Sequence, residues 1–225
     1  MTMKYFCITL LSALTLTACI QDDIVFDTVD PEVRISRAVD TIAIDSSYQF
    51  EAVYLNNVGV AELVDILWES SAPDVISIDN NGLASALQTG SATISASFSD
   101  GTTLVRDEVE VHTGEETVAQ AIERSGVIQT TTFYQLEGNF TIEQVDNDLL
   151  IEIADDYVAS SALPGLYLYL TNNPTTIANA LEVGPVQVFE GAHSYTIPNV
   201  NINTYNYLLY FCKPFTVKVG DGLIE

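Results

Sequence analysis

Short runs of alternating apolar and polar residues, separated by turn residues, dominate this chain. The clearest runs in the first half are TIAIDSSYQFEAVY, DVISID, LASAL, SATISASFSDG and LVRDEVEVH. A period of two places successive side chains on opposite faces of a strand, and it is typical of half-buried β-strands. Asn80, Asn81 and Gly82 stand between two of these runs and suit a tight turn. We therefore predict a β-sandwich over residues 31–113.

The β pattern returns in the second half, over residues 126–225. Its runs are FYQLEGNFTIEQV, DLLIEIADDY, GLYLYLTNN, GPVQVFEG, HSYTIP, YNYLLYFC and FTVKVGDG. Each is short, and Gly, Asn, Asp or Pro separates it from the next. We predict a second small β-sandwich, so the fold class is all-β with two sandwich domains.

Residues 114–125, GEETVAQAIERS, differ from this pattern. Val118, Ala121 and Ile122 have the i, i+3, i+4 spacing of one helix face. Glu115 and Glu116 would lie in the first turn, where they suit the helix dipole. The spacing predicts a short helical linker between the two domains.

The N-terminus is typical of a secretory signal over residues 1–18. Lys4 precedes an apolar run from Phe6 to Ala18, which is too short for the roughly 20 residues of a membrane-spanning helix. The run ends in LTAC, which resembles a bacterial lipobox and implies cleavage before Cys19 and lipid attachment to its sulfur. The alternative is an ordinary signal cut nearby, which would leave Cys19 free.

Residues 19–30 form an acidic tether that contains Asp22, Asp23, Asp27 and Asp30. The tether resembles the acidic tract that directs some outer-membrane lipoproteins to the cell exterior, and the alternative is a plain solvated linker. The expected location is the outer membrane, with the lipid on Cys19 as the membrane partner, and the surface-directing alternative for the tether implies exposure of the chain at the cell surface.

The chain is strongly acidic, with 31 Asp and Glu against 7 Lys and Arg and a net charge of −24. Such a surface repels phosphate backbones, which argues against nucleic-acid binding. The same repulsion argues against docking on anionic membranes.

Residues 68–101, WESSAPDVISIDNNGLASALQTGSATISASFSDG, resemble the bacterial immunoglobulin-like domain, group two. The residues at the motif positions are Trp68, Ser70, Ser71, Pro73, Val75, Asp79, Gly82, Ala86, Gly90, Ala92, Ile94 and Ala96. The resemblance implies a spacer or adhesive module whose marker residues are structural.

The second half resembles the DM-thirteen domain, also called the electron-transfer DM-thirteen domain. The matching residues are Gly138, Gly165, Tyr167, Tyr169, Leu170, Gly191, Tyr195, Pro198, Cys212, Phe215, Gly220 and Leu223. The resemblance implies redox chemistry through Cys212, as a bare thiol or as the ligand of haem or another prosthetic group. This chain has no cytochrome-like or haem-binding partner domain, so no cofactor is firmly implied.

Cys212 would be the one free thiol of a processed lipoprotein, because Cys7 leaves with the signal and Cys19 carries lipid. Period-two alternation puts apolar residues on both faces of its strand, which favours a buried thiol. Lys213 would favour a reactive thiolate, and Pro214 indicates a break that could expose the sulfur. A structural role and a reactive or ligating role both stay open for Cys212, and Lys213 is a candidate binding residue.

His193 is a weaker candidate binding residue. A copper site with one cysteine usually has two histidine ligands, and His112 and His193 lie in different predicted domains. The alternative is a locally bonded or solvated imidazole, and no metal site is predicted. There is no G-x-S-x-G elbow, phosphate loop or dinucleotide motif either.

Two functions remain. The first is a cell-envelope lipoprotein whose DM-thirteen-like domain acts as a redox or binding accessory through Cys212, with the immunoglobulin-like domain as spacer. The second is a non-enzymatic surface adhesin or ligand-binding module, with an envelope or extracellular protein or a glycan as partner. Enzymatic activity beyond thiol redox chemistry is not expected.

Overall fold

The computed structural model describes residues 27–119 and 123–225. The predicted signal segment 1–18 and the predicted lipid-bearing Cys19 lie outside these residues. Regular structure in the described residues is β-strand, apart from one short 3-10 turn near the C-terminus. None of these residues belongs to a helix with the length and hydropathy needed to cross a bilayer.

The first unit contains eleven strands around one core. The strands are β1 Glu32–Arg37, β2 Val39–Ala43, β3 Ser47–Gln49, β4 Glu51–Leu55, β5 Ala61–Glu62, β6 Leu67–Ser70, β7 Ile76–Ile78, β8 Leu83–Ala86, β9 Ser91–Ser99, β10 Leu104–Gly114 and β11 Val118–Ala119. They form three sheets with the orders β1-β4-β5, β11-β2-β10-β9-β6 and β3-β8-β7. Trp68 packs in the core with its ring centroid 6.1 Å from that of Phe50. The alternation predicts this β-strand content, and the immunoglobulin-like arrangement of the sheets agrees with the resemblance over residues 68–101.

The second unit has its own core and nine strands in one sheet. The strands are β12 Glu123–Thr130, β13 Leu136–Val145, β14 Asp148–Ile153, β15 Val158–Ala159, β16 Leu166–Thr171, β17 Leu181–Pro185, β18 His193–Ile197, β19 Tyr207–Cys212 and β20 Val217–Leu223. The 3-10 turn Lys213–Phe215 joins β19 to β20. The strand order is β17-β16-β19-β20-β12-β13-β14-β18, and β15 pairs with β13.

The prediction of a second two-sheet sandwich is wrong, because this unit is one curled and nearly closed sheet. Its core residues come from a single face of every long strand. Gly126 and Gly222 permit the tight curvature, because the ring of Phe140 lies directly against both of them. A Cβ atom would lie 2.5 Å from Phe140 Cζ if added at Gly126, and 2.7 Å from Phe140 Cε1 if added at Gly222. Glycine in a strand interior allows this close approach.

The prediction of a helical linker over residues 114–125 is also wrong for the part that the structure describes. Gly114 ends β10, Val118 pairs with Thr41 of β2, and Glu123 begins β12. A helix of this length is marginal without tertiary support. Here the backbone groups of Val118, Ala119 and Glu123 instead extend two sheets.

The two units meet at a polar junction centred on Arg34 of β1, which is only 6% exposed. Its Nη1 donates to the carbonyl oxygen of Asn203 at 2.6 Å, and its Nη2 donates to Asn172 Oδ1 at 3.3 Å. Nη2 also pairs with Glu32, whose Oε1 accepts from Asn206 Nδ2 at 2.7 Å. A buried guanidinium needs such partners, because an unpaired buried charge is very costly.

The described chain begins at this junction and not at the far end of the first unit. Asn173 Nδ2 donates to the carbonyl oxygen of Asp27 and also, at 3.4 Å, to that of Val58. Asp27 belongs to the predicted acidic tether, so the end of that tether touches the second unit directly.

Replacing Arg34 by Ala should destabilise the protein by about 2–3 kcal/mol, because it removes charged hydrogen bonds to the second unit. Arg37→Ala in the same strand is the matched control. Arg37 pairs with Glu51 in solvent, where both side chains are more than half exposed, and its loss should cost about 0.5 kcal/mol. Denaturant unfolding of both variants measures the difference. Equal losses would show that the Arg34 contacts do not stabilise the junction.

Candidate functional site

Cys212 is the last residue of β19 and is buried, with 1% of its surface exposed. Leu208 and Tyr210 share its face and belong to the core of the second unit. Leu209 and Phe211 occupy the other face and pack in a smaller outer cluster. The strand is thus covered on both sides, and the Cys212 Sγ lies 3.6 Å from the carbonyl oxygen of Pro164.

Pro214 does break the strand, but the break does not expose the Cys212 sulfur to solvent. The 3-10 turn Lys213–Phe215 begins directly after Cys212, and Thr216 takes a left-handed conformation with φ of 51°. The Pro214 ring packs on Gly165, where an added Cβ would lie 3.0 Å from its Cδ and Cγ atoms. Lys213 N also donates to the carbonyl oxygen of Gly165 at 3.1 Å. Gly165, next to the Pro164 carbonyl, is held against the end of β19.

Lys213 extends outward and does not join the thiol. Its Nζ lies 2.7 Å from Glu182 Oε2 and 4.6 Å from the centre of the Tyr167 ring. The hydrogen bond with Glu182 raises the pKa of Lys213 and lowers the pKa of Glu182. The Lys213 ammonium is therefore paired with the Glu182 carboxylate and the Tyr167 ring on the outer face.

His193 begins β18 and packs between two tyrosines. Its ring centroid lies 4.9 Å from that of Tyr157 and 5.4 Å from that of Tyr195. The His193 Nδ1 lies 2.9 Å from the Gly191 carbonyl oxygen, which can only accept, so Nδ1 carries the proton in this contact. His193 Nε2 is buried and has no hydrogen-bond partner among the described residues.

Tyr157 and Tyr210 extend this polar cluster into the core. Both are fully buried, and neither hydroxyl has a hydrogen-bond partner in the described part of the chain. Burial raises the pKa of both phenols, so they remain neutral hydrogen-bonding groups. Tyr210 lies on the same strand face as Cys212. Ring contacts thus link Tyr210, which shares a strand face with Cys212, to Tyr157 and then to His193.

The chemistry of this interior is that of neutral polar groups in an apolar core. Within residues 27–119 and 123–225, no group of three or more His, Cys, Asp or Glu side chains is arranged to hold a metal ion. His193 and Cys212 are the residues that could ligate a prosthetic group. Cys212 is closely packed, and a cleft beside His193, between β17 and β18, has a volume of about 320 Å³, which is small for haem.

A second feature, which the sequence reading missed, lies at the end of the second unit away from Arg34. Among the described residues, the three exposed aromatic side chains are Phe133, Tyr134 and Phe215, and all lie at this end. Phe133 is fully exposed, Phe215 is 63% exposed and Tyr134 is 45% exposed. We call this surface the distal end and define it as the loops 131–135, 160–165 and 213–216.

Backbone hydrogen bonds join the three distal loops and their flanking strands. Ser160 N donates to the carbonyl oxygen of Gln135 at 2.8 Å, and Thr131 N donates to that of Val219 at 2.9 Å. The third loop is linked through the Lys213–Gly165 bond described above. β19 runs from Tyr207, beside the junction residue Asn206, to Cys212 at the distal end. The exposed aromatic residues therefore stand about one strand length from the junction.

Comparison with known proteins gives a match for the first unit. Residues 31–109 match the family described as bacterial Ig-like domain (group 2), so this part of the chain is similar to bacterial Ig-like domains. No curated protein matches the chain. These comparisons give no support to the DM-thirteen resemblance of the second half, which stays a prediction.

One solved structure with a distant likeness is "Structure of surface layer protein SbsC, domains 1-6". The match has 11% sequence identity and a TM-score of 0.27, and it covers 88% of this chain and 40% of that chain. This chain thus spans less than half of the surface-layer structure. A likeness at this level carries no argument about function.

The packing of Pro214 on Gly165 predicts how the thiol reacts. In the native chain, Cys212 should react with a thiol reagent at least about 100-fold more slowly than in denaturant, because the native sulfur is closed off from solvent. Gly165→Ala should raise the native rate, since the added Cβ pushes Pro214 away. Peptide mass spectrometry reads the modification at Cys212 and separates it from Cys7 and Cys19.

Gly191→Ala is the matched control for this substitution. Gly191 has φ of 87°, close to the 80° of Gly165, but an added Cβ meets no atom within 4 Å. Both variants therefore carry the same backbone strain, and only one disturbs the packing over Cys212. Equal thiol rates in the two variants, or a fast rate in the native chain, would contradict the packing account.

Proposed function

We propose that this protein is a non-enzymatic binding protein of the cell envelope, and that the distal end is its binding surface. The observation that carries the proposal is the collection of the exposed aromatic side chains in the loops of that end. Exposed aromatic side chains supply large contact areas at low entropic cost and are enriched where proteins bind partners. Cys212 then has a structural role as a small buried apolar residue.

The location in the envelope follows from two features of the chain. The first unit is similar to bacterial Ig-like domains, a module type that the sequence reading associates with spacer and adhesive roles. The lipobox-like LTAC supports export and lipid attachment at Cys19, with an outer-membrane location that includes exposure at the cell surface. In this proposal the junction at Arg34 fixes the second unit against the Ig-like domain, so that the distal end is displayed at a constant orientation.

Replacing Phe133 and Phe215 together by Ser should abolish partner binding without unfolding the protein. Substitutions of exposed residues usually change stability by no more than about 0.5 kcal/mol. Binding of the full chain to a panel of envelope glycans, proteins and lipid vesicles gives the measurement. We expect the double variant to lose at least tenfold in affinity for whichever surface the native chain retains.

Two control variants make the result specific. Leu63→Ser removes a fully exposed apolar side chain from the Ig-like domain and should bind like the native chain. Cys212→Ala should also bind like the native chain once its stability has been checked. The proposal is wrong if the double variant binds at the native level, or if a folded Cys212→Ala variant fails to bind.

A redox accessory role through Cys212 is the second candidate function. The observation that favours it is that Tyr210 shares a core-facing strand face with Cys212, while ring contacts link Tyr210 to Tyr157 and Tyr157 to His193. If this role is correct, native Cys212 attacks oxidised glutathione, forms a mixed disulfide and releases one reduced glutathione. Mass spectrometry of Cys212 after incubation in glutathione buffers detects the adduct, and an unmodified Cys212 would eliminate this function.

A further inference from the structure

The shape of the distal end restricts what can bind there. Phe133 stands in the turn between β12 and β13, and Phe215 stands in the 3-10 turn between β19 and β20. Both side chains therefore project from turns. A protein partner would need a complementary hollow for each ring, whereas the hydrocarbon of a bilayer accommodates a projecting apolar side chain of any shape.

The Phe133 turn is held in place by its own hydroxyl groups. Thr130 Oγ1 donates to the carbonyl oxygen of Tyr134 at 2.7 Å and accepts from Thr132 N at 3.2 Å. Thr132 Oγ1 in turn accepts from Tyr134 N at 3.2 Å. Phe133 is thus presented on an ordered backbone, so little conformational entropy is lost when the ring is buried by a partner.

The loops of the distal end carry little charge. The stretches 130–136, 158–166 and 212–217 contain no Asp or Glu, although the whole chain contains 31. The one charged residue in these stretches is Lys213, and it is paired with Glu182. The net charge of −24 opposes contact of the protein with lipid phosphates, and these loops add no carboxylate to that repulsion.

We propose that the distal end docks on a lipid bilayer by inserting Phe133 and Phe215 at the interface. Tyr134 flanks Phe133 in its turn, and a tyrosine suits the headgroup region because it combines an apolar body with a polar end. The absence of a free positive patch selects zwitterionic over anionic lipid. This inference rests on the proposed binding function of the distal end and names its partner.

Position-specific fluorescence quenching tests the insertion in the full chain. Trp68, the single native tryptophan, is buried in the Ig-like domain and supplies the background signal. Phe133→Trp places a second indole at the distal end, and phosphatidylcholine vesicles with brominated acyl chains quench an indole that enters the hydrocarbon. We expect the added emission of the Phe133→Trp chain to fall by at least half on addition of these vesicles.

Leu63→Trp is the matched control, because Leu63 is also fully exposed but lies on the Ig-like domain. This control reports any contact caused by residues 1–26 or by general adsorption, and its added emission should not be quenched. Phe215→Ser in the Phe133→Trp chain should weaken the quenching titration about tenfold. Equal quenching at positions 63 and 133, or none at position 133, would overturn the insertion proposal.

The same variants separate the failure of this inference from that of the proposed function. If position 133 is not quenched but the Phe133→Ser, Phe215→Ser double variant loses binding to a protein or glycan, the lipid proposal is wrong and the distal end is still a binding surface. If the double variant also retains all binding, both proposals are wrong. Vesicle-independent self-association that the double variant abolishes would identify a second copy as the occupant and overturn lipid docking.

Discussion

The buried guanidinium of Arg34 is the interaction on which the arrangement of this protein depends. It lies 6% exposed between two β units and satisfies its hydrogen-bonding groups with atoms from both. Guanidinium groups suit such a position because five N–H donors in a planar fork can bond several acceptors at fixed angles. Burial, with Arg34 nearby as the next cause, lowers the pKa of Arg124 in β12, and Asp107 and Glu32 partly offset the repulsion between the two arginines. The junction is thus a layer of polar groups around the Arg34–Glu32 ion pair, and its geometry fixes which end of the second unit remains free.

The second unit encloses its core by curling a single sheet around it. Two glycines let the Phe140 ring lie flat against β12 and β20, so the sheet can curl without a second layer. Cys212 enters this core as one of its smaller side chains, and the turn that follows it closes the end of its strand. The unpartnered hydroxyls of Tyr157 and Tyr210 show that the core is not purely apolar. These buried hydroxyl groups are a chemical reason to test the reactivity of Cys212, even though the packing of Cys212 favours a structural role.

Several of these features could be read from the sequence, because they depend on local pattern. Period-two alternation predicts most of the strands, and the apolar run YLLYFC predicts that β19 is covered on both faces, as Leu209 and Leu208 show. The motif around Trp68 predicts the Ig-like domain. These predictions succeed because the residues that determine which face of a strand is buried are close together in the sequence.

The features that could not be predicted depend on contacts between distant residues. His193 meets Tyr157 across 36 positions, and nothing in GAHSY distinguishes it from a solvated imidazole. The curled sheet and the two-sheet sandwich share one strand pattern and differ only in pairing, which glycines such as Gly126 decide through the ring that packs on them. Pro214 correctly indicates a break, but whether the break exposes Cys212 depends on Gly165, 49 residues earlier. The exposure of Phe133 and Phe215 likewise follows from turns at the same end of a sheet, which separate turn motifs do not reveal.

The central claim is that the Arg34 junction holds the two units as one body with the aromatic loops at its free end. Spin labels on unnatural side chains at positions 87 and 134, both exposed and one in each unit, measure this directly by pulsed electron resonance. The account predicts one narrow distance distribution in the native chain and a broad one after Arg34→Ala. A broad distribution in the native chain would contradict the rigid junction and, with it, the fixed display of the distal end.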